Sequence, residues 1–485
     1  MSFPESISSL KGCPIYMVGI KGTGMAALAE LLLQLGAKVE GSDTTEKFYT
    51  DEILLSLGIP YSEGFNEQNL IPRAKLVIHS AAYNPDENPE LKEALSRGIP
   101  IISYPEALGH LSKLFDSSGI SGVHGKTTTA AFAATICTKL DLPASVLVGS
   151  AVTGLKNRCT TVRGDKYFIA ETCEYRRHFL FFKPKRIIIT NVEYDHPDYF
   201  TGFENTLDTF TSYAETLPKG GEIIYCEDDR GASLVAERIT EQRPDIGLIP
   251  YGEKAGGEYR VREISVEPGR TRFSLDGFKG EFSLRIPGKH TAFNAVAAMA
   301  LVCSLLKKEK GEITENDLQA IRAGIDEFRG SKRRSEIIGE AGGVLFMDDY
   351  AHHPTAIRKT IEGLKEFYPH KRIVVDFMSH TYSRTCTLLE DFGKSLQSAD
   401  EVILHKIYAS AREQNRKSIS GWDLYTATRK YMVNVSYYHE VMDALDYCLE
   451  SLNSPDLFIT MGAGDNWRLG YELHHRMLEK EKGRR

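Results

Sequence analysis

Hydrophobic and polar positions along this chain predict alternating β-strands and α-helices over almost its whole length. Short apolar runs such as residues 15–18 end in glycine or polar residues. Helical spacing of apolar positions then follows, as over residues 25–35. This order of elements is typical of doubly wound sheets with parallel strands. We therefore predict an α/β fold, with a small antiparallel patch over residues 258–285, where the runs are shorter.

Two polar segments divide this alternation into three parts. Residues 115–119 contain serine and glycine, as linkers do, and residues 328–334 are polar and basic. We therefore expect domains over residues 1–116, 117–328 and 329–485, the first and third with Rossmann-like sheets. Residues 118–121 have poor β-propensity for a strand that precedes a nucleotide loop.

Composition narrows the class of protein. A net charge of −7 gives no support to a nucleic-acid-binding or membrane-surface protein. The eight cysteines form no Cys-x-x-Cys pair, which indicates reduced thiols in a cytoplasmic protein. Because no run of 18 apolar residues is present, we predict no membrane span. We expect a monomer or a homodimer.

One run of residues predicts a phosphate-binding loop. Gly122-Val123-His124-Gly125-Lys126-Thr127-Thr128 precedes a small-residue helix, with a spacing two residues shorter than the general nucleotide-loop pattern. Glycines let backbone N–H groups turn inward, lysine reaches the outer phosphates, and a threonine hydroxyl holds Mg²⁺. The alternative is an ordinary glycine-rich turn at the start of a helix. The Gly-Lys-Thr-Thr run favours the phosphate site.

Polar residues follow several of the predicted strands. Glu171 ends the strand over residues 167–170, and His196 follows the strand over residues 186–190. An α/β sheet places metal ligands at such strand ends. Each residue alone is better explained as a cap or a buried polar group, but the nearby phosphate loop reverses this preference and favours a metal site.

The amino-terminal turn nearly matches a dinucleotide-binding fingerprint, with the residues Gly19-Ile20-Lys21-Gly22-Thr23-Gly24. Lys21 stands where that fingerprint needs glycine, which disfavours a nicotinamide-dependent oxidoreductase. A diphosphate at the helix amino terminus remains compatible with the turn. Asp43 ends the second strand. It either accepts a hydrogen bond from a sugar hydroxyl or is a turn residue at the end of the strand.

Six motifs, taken in order, resemble those of the ATP-dependent Mur ligases of peptidoglycan synthesis. They lie at residues 18–25, 122–129, 191–198, 290–294, 348–355 and 380–385, and the resemblance covers nearly the whole chain. It implies a three-domain enzyme whose first domain binds the UDP end of a substrate. The second domain would bind ATP and Mg²⁺, and the third the incoming amino acid.

The resemblance also implies roles for individual residues. The catalytic set is Lys126, His196, Arg334, His352 and Arg384. The ATP-binding set is Gly122, His124, Gly125, Lys126, Thr127, Thr128, His290, Asn294, Arg334 and Asp349. The UDP-substrate set is Gly19, Gly22, Thr23, Gly24, Asp43 and Ser80, and the metal ligands are Thr127, Glu171 and His196.

The implied activity is ADP-forming ligation of L-alanine to the carboxylate of UDP-N-acetylmuramate through an acyl phosphate. A sister ligase that attaches a preformed peptide or another amino acid is the alternative, and the His-x-Tyr-Ser-Arg run at residues 380–384 favours alanine. Thr381 stands where the family usually has arginine, so the amino-acid preference stays open. A nucleotide-dependent switch without catalysis is disfavoured by the intact Lys126, Thr127, Glu171 and His196.

Overall fold

A computed structural model describes residues 3–409 and 419–483 and confirms the three-domain α/β fold. Each domain is built on its own sheet, and strands within the sheets are mostly parallel. The exact domain boundaries stay predictions.

The amino-terminal domain has a five-stranded parallel sheet in the order β3-β2-β1-β4-β5. Its strands are β1 Pro14–Val18, β2 Lys38–Asp43, β3 Tyr61–Glu63, β4 Leu76–His79 and β5 Ile101–Ser103. Its helices are α1 Ile7–Leu10, α2 Thr23–Gln34, α3 Thr50–Ser56, α4 Pro89–Ser96 and α5 Tyr104–Ser112. The strand order changes direction at β1, so a ligand crevice is expected beyond its carboxyl end.

The central domain has a seven-stranded sheet in the order β12-β11-β10-β6-β9-β7-β8, in which only β8 is antiparallel to its neighbour. Its strands are β6 Asp116–Ser121, β7 Ala144–Val152, β8 Arg158–Val162, β9 Tyr167–Glu171, β10 Arg186–Ile189, β11 Glu222–Cys226 and β12 Gly247–Tyr251. The predicted antiparallel patch is a separate sheet of β13 Val261–Glu267, β14 Arg270–Leu275 and β15 Phe278–Leu284. The helices of the central domain are α6 Lys126–Lys139, α7 Phe203–Glu215, α8 Arg230–Gln242, α9 Lys289–Lys310 and α10 Glu315–Asp326.

The carboxyl-terminal domain has a six-stranded sheet in the order β16-β17-β21-β18-β19-β20, with β16 antiparallel to β17. Its strands are β16 Glu336–Ala341, β17 Val344–Asp349, β18 Ile373–Met378, β19 Glu401–Leu404, β20 Val435–Tyr437 and β21 Leu457–Gly462. Its helices are α11 Pro354–Phe367, α12 Tyr382–Thr387, α13 Leu389–Leu396, α14 Gly421–Thr428, α15 Leu445–Ser451 and α16 Trp467–Lys482.

The prediction of a linker over residues 115–119 is wrong, because most of that segment lies in β6 at the middle of the central sheet. Two of its serine hydroxyls satisfy buried carbonyls: Ser117 Oγ donates to Ser112 O and Ser121 Oγ to Ile188 O, both at 2.7 Å. A Cβ on Gly119 would overlap the Tyr213 hydroxyl. Small residues therefore fit the crowded surroundings of this strand. A β-propensity scale does not record such crowding, so it rates the segment as a poor strand.

Helix α9 is, among the described residues, the one helix long and apolar enough to cross a membrane by length and composition. Most of it is buried: 78% of its most apolar window lies inside the protein. Val296, Leu301 and Leu305 belong to the core shared with α6 and the central sheet. Packing within the central domain accounts for its apolar character.

Candidate active site

A cavity of about 360 Å³ lies between the central and carboxyl-terminal domains. It gathers every residue predicted for catalysis and ATP binding except Gly122, which directly follows β6. These residues are His124, Gly125, Lys126, Thr127, Thr128, His196, His290, Asn294, Arg334, Asp349, His352 and Arg384, and the predicted metal ligand Glu171 joins them. Residues from two domains therefore face one space.

A smaller cavity of about 240 Å³ adjoins the first one. Gly24 and Tyr104 of the amino-terminal domain line it, opposite Lys126, Glu171 and Cys173 of the central domain. The last three residues also line the larger cavity, so the two spaces meet at the nucleotide loop. A third cavity, of about 840 Å³, lies where β10, β11 and β12 begin, and no predicted site residue lines it.

The nucleotide loop holds two glycines in left-handed backbone conformations. Gly122 has φ 134° and Gly125, the residue before α6, has φ 84°. A Cβ on Gly125 would lie 2.5 Å from Asn294 Oδ1, so Asn294 packs directly on the loop. Asn191 also braces it, since His124 N–H donates to Asn191 Oδ1 and Asn191 Nδ2 donates to His124 O, both at 2.9 Å.

Lys126 is folded back onto its own loop. Its Nζ donates to the Gly122 carbonyl and, at 2.9 Å, to Glu174 Oε2. Burial alone would lower the pKa of Lys126, but the Glu174 carboxylate outweighs that effect and raises it. Glu174 itself is buried, and no role was predicted for it, although it follows Glu171 by three positions.

The predicted metal ligands lie close to this lysine. Thr127 Oγ1 donates to Glu171 Oε2 at 3.1 Å, and the Gly149 N–H donates to the other oxygen of Glu171. Burial raises the pKa of Glu171, and Gly149 and Arg334 only partly offset this. His196, which has φ 54°, places Nε2 at 3.7 Å from Glu174 Oε1.

Two adjacent arginines enter the region from the start of the carboxyl-terminal domain. Arg333 Nε donates to Asp348 Oδ2 at 3.0 Å, so this guanidinium is held by its own domain. The Arg334 guanidinium lies over the Tyr350 ring, 4.8 Å from its centroid. Asp349 accepts the backbone N–H of Ser335 at 2.7 Å, which ties the strand end to this arginine segment. Arg334 is therefore the one of the two that lines the cavity.

Three more predicted residues line the cavity: two are histidines whose pKa is lowered, and the third is an arginine already paired with an aspartate. His352 Nδ1 donates to the Tyr350 carbonyl at 2.8 Å, and burial, with the nearby Arg384, lowers the pKa of His352 well below its usual value. Burial, with Lys359, lowers the pKa of His290 to about 4. Arg384 Nε donates to Asp195 Oδ1 at 2.8 Å. Neither Asp195 nor this pairing was predicted, although Asp195 lies inside a quoted motif.

The residues predicted for the UDP substrate gather at the carboxyl ends of β1, β2 and β4. Gly19 has φ 84°, and a Cβ there would lie 2.6 Å from the Tyr83 ring. Gly22 precedes α2, whose first residues are Thr23 and Gly24. Ser80 follows β4, and its backbone N–H donates to the Val18 carbonyl at 2.9 Å.

Asp43 uses its carboxylate within the protein. It accepts the backbone N–H groups of Lys21 at 2.7 Å and Thr44 at 2.8 Å, and the Tyr83 hydroxyl at 3.0 Å. These contacts are compatible with a turn residue, and the assignment of Asp43 to the UDP substrate stays a prediction. The Lys21 side chain is buried as well, with Nζ 3.1 Å from Asp51 Oδ1, so it occupies space within the first domain.

Three family models match successive parts of the chain. The model for the Mur ligase family catalytic domain matches residues 14–116, and the Mur ligase middle domain matches residues 120–302. The glutamate ligase domain of Mur ligases matches residues 333–464.

Curated proteins and solved structures agree with these matches. UDP-N-acetylmuramate–L-alanine ligases of Treponema pallidum (strain Nichols) and Borreliella burgdorferi are 52% and 40% identical to this chain. The alignments cover 99% of both chains in the first case, and 94% of this chain and 97% of the relative in the second. A UDP-N-acetylmuramate-alanine ligase of Thermotoga maritima aligns with a TM-score of 0.79 at 25% identity, over 97% of this chain and 100% of the other. This chain belongs to the Mur ligase family.

Proposed function

We propose that this protein is an ADP-forming ligase that joins L-alanine to the carboxylate of UDP-N-acetylmuramate, in the synthesis of peptidoglycan precursors. The carboxylate attacks the γ-phosphorus of ATP, which gives an acyl phosphate and ADP. The amine of alanine then attacks the acyl carbon, and inorganic phosphate leaves. The names of the relatives, which are similar over the whole chain, support the choice of substrates.

The observation that carries this proposal is the meeting of two cavities at Lys126 and Glu171. One cavity opens toward the amino-terminal domain, where the UDP-linked substrate is predicted to bind. The other contains the nucleotide loop and residues of the carboxyl-terminal domain. A carboxylate from the first side and a phosphate from the second would meet beside the lysine, as phosphoryl transfer to a carboxylate requires.

Lys126 must leave its present partners to act on ATP. Its ammonium now neutralises Glu174 and donates to a carbonyl of its own loop. The γ-phosphate offers more charge than one carboxylate, so the lysine turns toward the phosphates when ATP binds. Arg334 adds a second positive charge from the carboxyl-terminal domain, and it offsets the repulsion between the two anions.

The donor set fits a magnesium ion bound with ATP. Thr127 Oγ1 and Glu171 Oε2 are hard oxygen ligands 3.1 Å apart at the start of α6. Mg²⁺, when bound, would screen the phosphate charges at this position. His196 is a less typical ligand for Mg²⁺, and its assignment as a ligand stays a prediction.

The carboxyl-terminal domain supplies groups suited to the amino acid. Since His352 Nδ1 donates to a carbonyl and burial keeps the ring neutral by lowering its pKa, its Nε2 carries a lone pair that can accept a hydrogen bond from the amino group of the incoming amino acid. Arg384 donates Nε and Nη2 to the two carboxylate oxygens of Asp195, so in this arrangement it joins the two domains. That edge of the guanidinium cannot also bind the carboxylate of an amino acid. The cytoplasmic location and the monomeric or dimeric state stay predictions.

An ADP-release assay with ATP, Mg²⁺, UDP-N-acetylmuramate and one amino acid or preformed peptide at a time tests the proposal. We expect release that depends on both the muramate and alanine. Release without the muramate would contradict ligation. A preference for glycine, for serine or for a preformed peptide would keep the ligase and replace alanine, as the sister-ligase alternative requires.

A further inference from the structure

Two histidines and a glutamate form a cluster whose side chains take part in no step of the proposed reaction, although His124 belongs to the predicted ATP-binding set. His124 belongs to the nucleotide loop, Glu193 follows β10, and His353 directly precedes α11. One potential ligand atom from each residue lies within 4.8 Å of the other two. The cluster therefore joins the central domain to the carboxyl-terminal domain.

The cluster is centred on one carboxylate oxygen. His124 Nε2 and His353 Nδ1 both lie 3.8 Å from Glu193 Oε2. These separations exceed those of direct hydrogen bonds. Glu193 Oε2 is fixed in place, because the Thr355 hydroxyl donates to it at 2.9 Å from the first turn of α11.

The His124 nitrogen that faces Glu193 is buried and has no partner. His124 Nε2 is inaccessible and makes no hydrogen bond in the described structure, and His353 faces the same carboxylate oxygen through Nδ1. Only 6% of the His353 surface is exposed. A buried polar atom without a partner is costly, and it marks a place where a ligand is expected.

We propose that His124, Glu193 and His353 bind a divalent transition-metal cation of the Zn²⁺ type. Two histidines and one glutamate, with a fourth position open, are a known ligand set for Zn²⁺. Bonds of about 2.0–2.1 Å place tetrahedral ligands about 3.4 Å apart. The two imidazoles lie 3.8 Å from Glu193 and within 4.8 Å of each other, so side-chain rotations would bring the three ligand atoms to that spacing.

The cation differs from the Mg²⁺ proposed for catalysis. Mg²⁺ prefers six oxygen ligands, whereas two of the three donors here are imidazole nitrogens. The two ligand sets share no residue, since the Mg²⁺ set is Thr127, Glu171 and His196. The inference does not rest on the proposed ligase activity, because it concerns the protein without nucleotide.

A bound cation would restrain the nucleotide loop. His124 immediately precedes Gly125 and Lys126, and His353 directly precedes α11 of the other domain. His353 Nδ1 now accepts the Thr355 N–H at 3.4 Å, and the cation would replace this long hydrogen bond, because the nitrogen has one lone pair. One cation would therefore hold the loop against α11 and keep the two domains together. We expect Zn²⁺ to inhibit any reaction that needs these domains to open.

The test is Zn²⁺ binding to the full-length protein, measured by competition with a chromogenic chelator in excess Mg²⁺. We expect one equivalent, bound at least about tenfold more tightly by the wild type than by Glu193→Gln or His353→Asn. Asparagine caps helices well, so His353→Asn preserves the start of α11. Circular dichroism checks the folding of both variants.

The exposed His475, 3.7 Å from Glu479, provides the matched control. His475→Gln should bind Zn²⁺ as the wild type does. Substituting Co²⁺ should give the strong visible absorption of a tetrahedral site, lost in Glu193→Gln. Equal Zn²⁺ affinities in all four proteins, or an octahedral Co²⁺ spectrum abolished by Mg²⁺, would overturn the proposal.

Discussion

Arg384 of the carboxyl-terminal domain forks onto Asp195 of the central domain, with Nε 2.8 Å from Oδ1 and Nη2 3.2 Å from Oδ2. Both side chains are almost fully buried, at 3% and 4% exposure. Burial alone would raise the pKa of Asp195, but Arg384 and His196 hold it well below its usual value. The pair is therefore an ion pair that links two domains.

Breaking this pair should destabilise the closed protein. Removing one partner of a buried ion pair leaves an uncompensated charge and costs about 3–5 kcal/mol. We expect losses of that order for Asp195→Asn and Arg384→Gln in urea denaturation, and less than their sum for the double variant. The exposed pair of Arg238 and Asp208 is the control, since Arg238→Gln should cost at most about 1 kcal/mol. Strict additivity of the two buried changes would show that the residues are not coupled.

Lys126→Ala should slow turnover by at least roughly 10²-fold, because it removes one preorganised charge from a phosphoryl-transfer site. Steady-state ADP release measures this effect. Lys139→Ala is a matched change at the other end of α6, where the side chain is paired with Glu327, and it should leave turnover near normal. Near-normal activity of Lys126→Ala would contradict the role given to the loop.

Glu174→Gln should strengthen ATP binding several-fold. The carboxylate now competes with phosphate for Lys126, and the amide keeps its shape without its charge. Calorimetric titration with ATP and Mg²⁺ measures the change. Glu327→Gln serves as the control, because it removes the charge paired with a lysine distant from the loop. An unchanged or weaker affinity would mean that Glu174 does not restrain Lys126.

Stability should depend on pH through Glu30, which lies on α2 with a carboxylate oxygen 3.8 Å from Arg158 Nε on β8. Burial raises its pKa from 4.5 to about 7, although Arg158 opposes the shift. The folded state therefore holds this proton more tightly, so stability is fully present below pH 4.5 and falls as the pH rises through about 7. Glu30→Gln should be more stable than the wild type above pH 7, by up to about 3 kcal/mol.

The difference between Glu30→Gln and the wild type should vanish below pH 4.5, where both side chains are neutral. Denaturation curves recorded at several pH values measure it. A difference that does not vary with pH would exclude titration of Glu30 as the cause.

The sequence predicts those parts of the site that depend on local spacing. The loop from Gly122 to Thr128 and the strand-end residues Glu171 and His196 follow from glycine placement and strand alternation. The structure then gathers these residues, apart from Gly122, around one cavity. The choice of UDP-substrate, ATP and metal residues stays a prediction.

Long-range partners are not predictable from one sequence. Asp195 and Arg384 are 189 positions apart, and Lys126 and Glu174 are 48 apart. Their pairing depends on how sheets and domains pack, which no local pattern records. The sequence predicts β6 only as a weak strand over residues 118–121 and assigns its first residues to a linker for a similar reason, since its small residues suit the crowding around Tyr213.

The most direct test of the account follows the oxygen atoms of the substrate. UDP-N-acetylmuramate labelled with ¹⁸O in both carboxylate oxygens is incubated with ATP, Mg²⁺ and L-alanine, and the products are analysed by mass spectrometry. Transfer of the carboxylate oxygen to the γ-phosphorus predicts one ¹⁸O in the released phosphate and one in the new amide. Unlabelled phosphate released together with ADP would contradict an acyl-phosphate ligase.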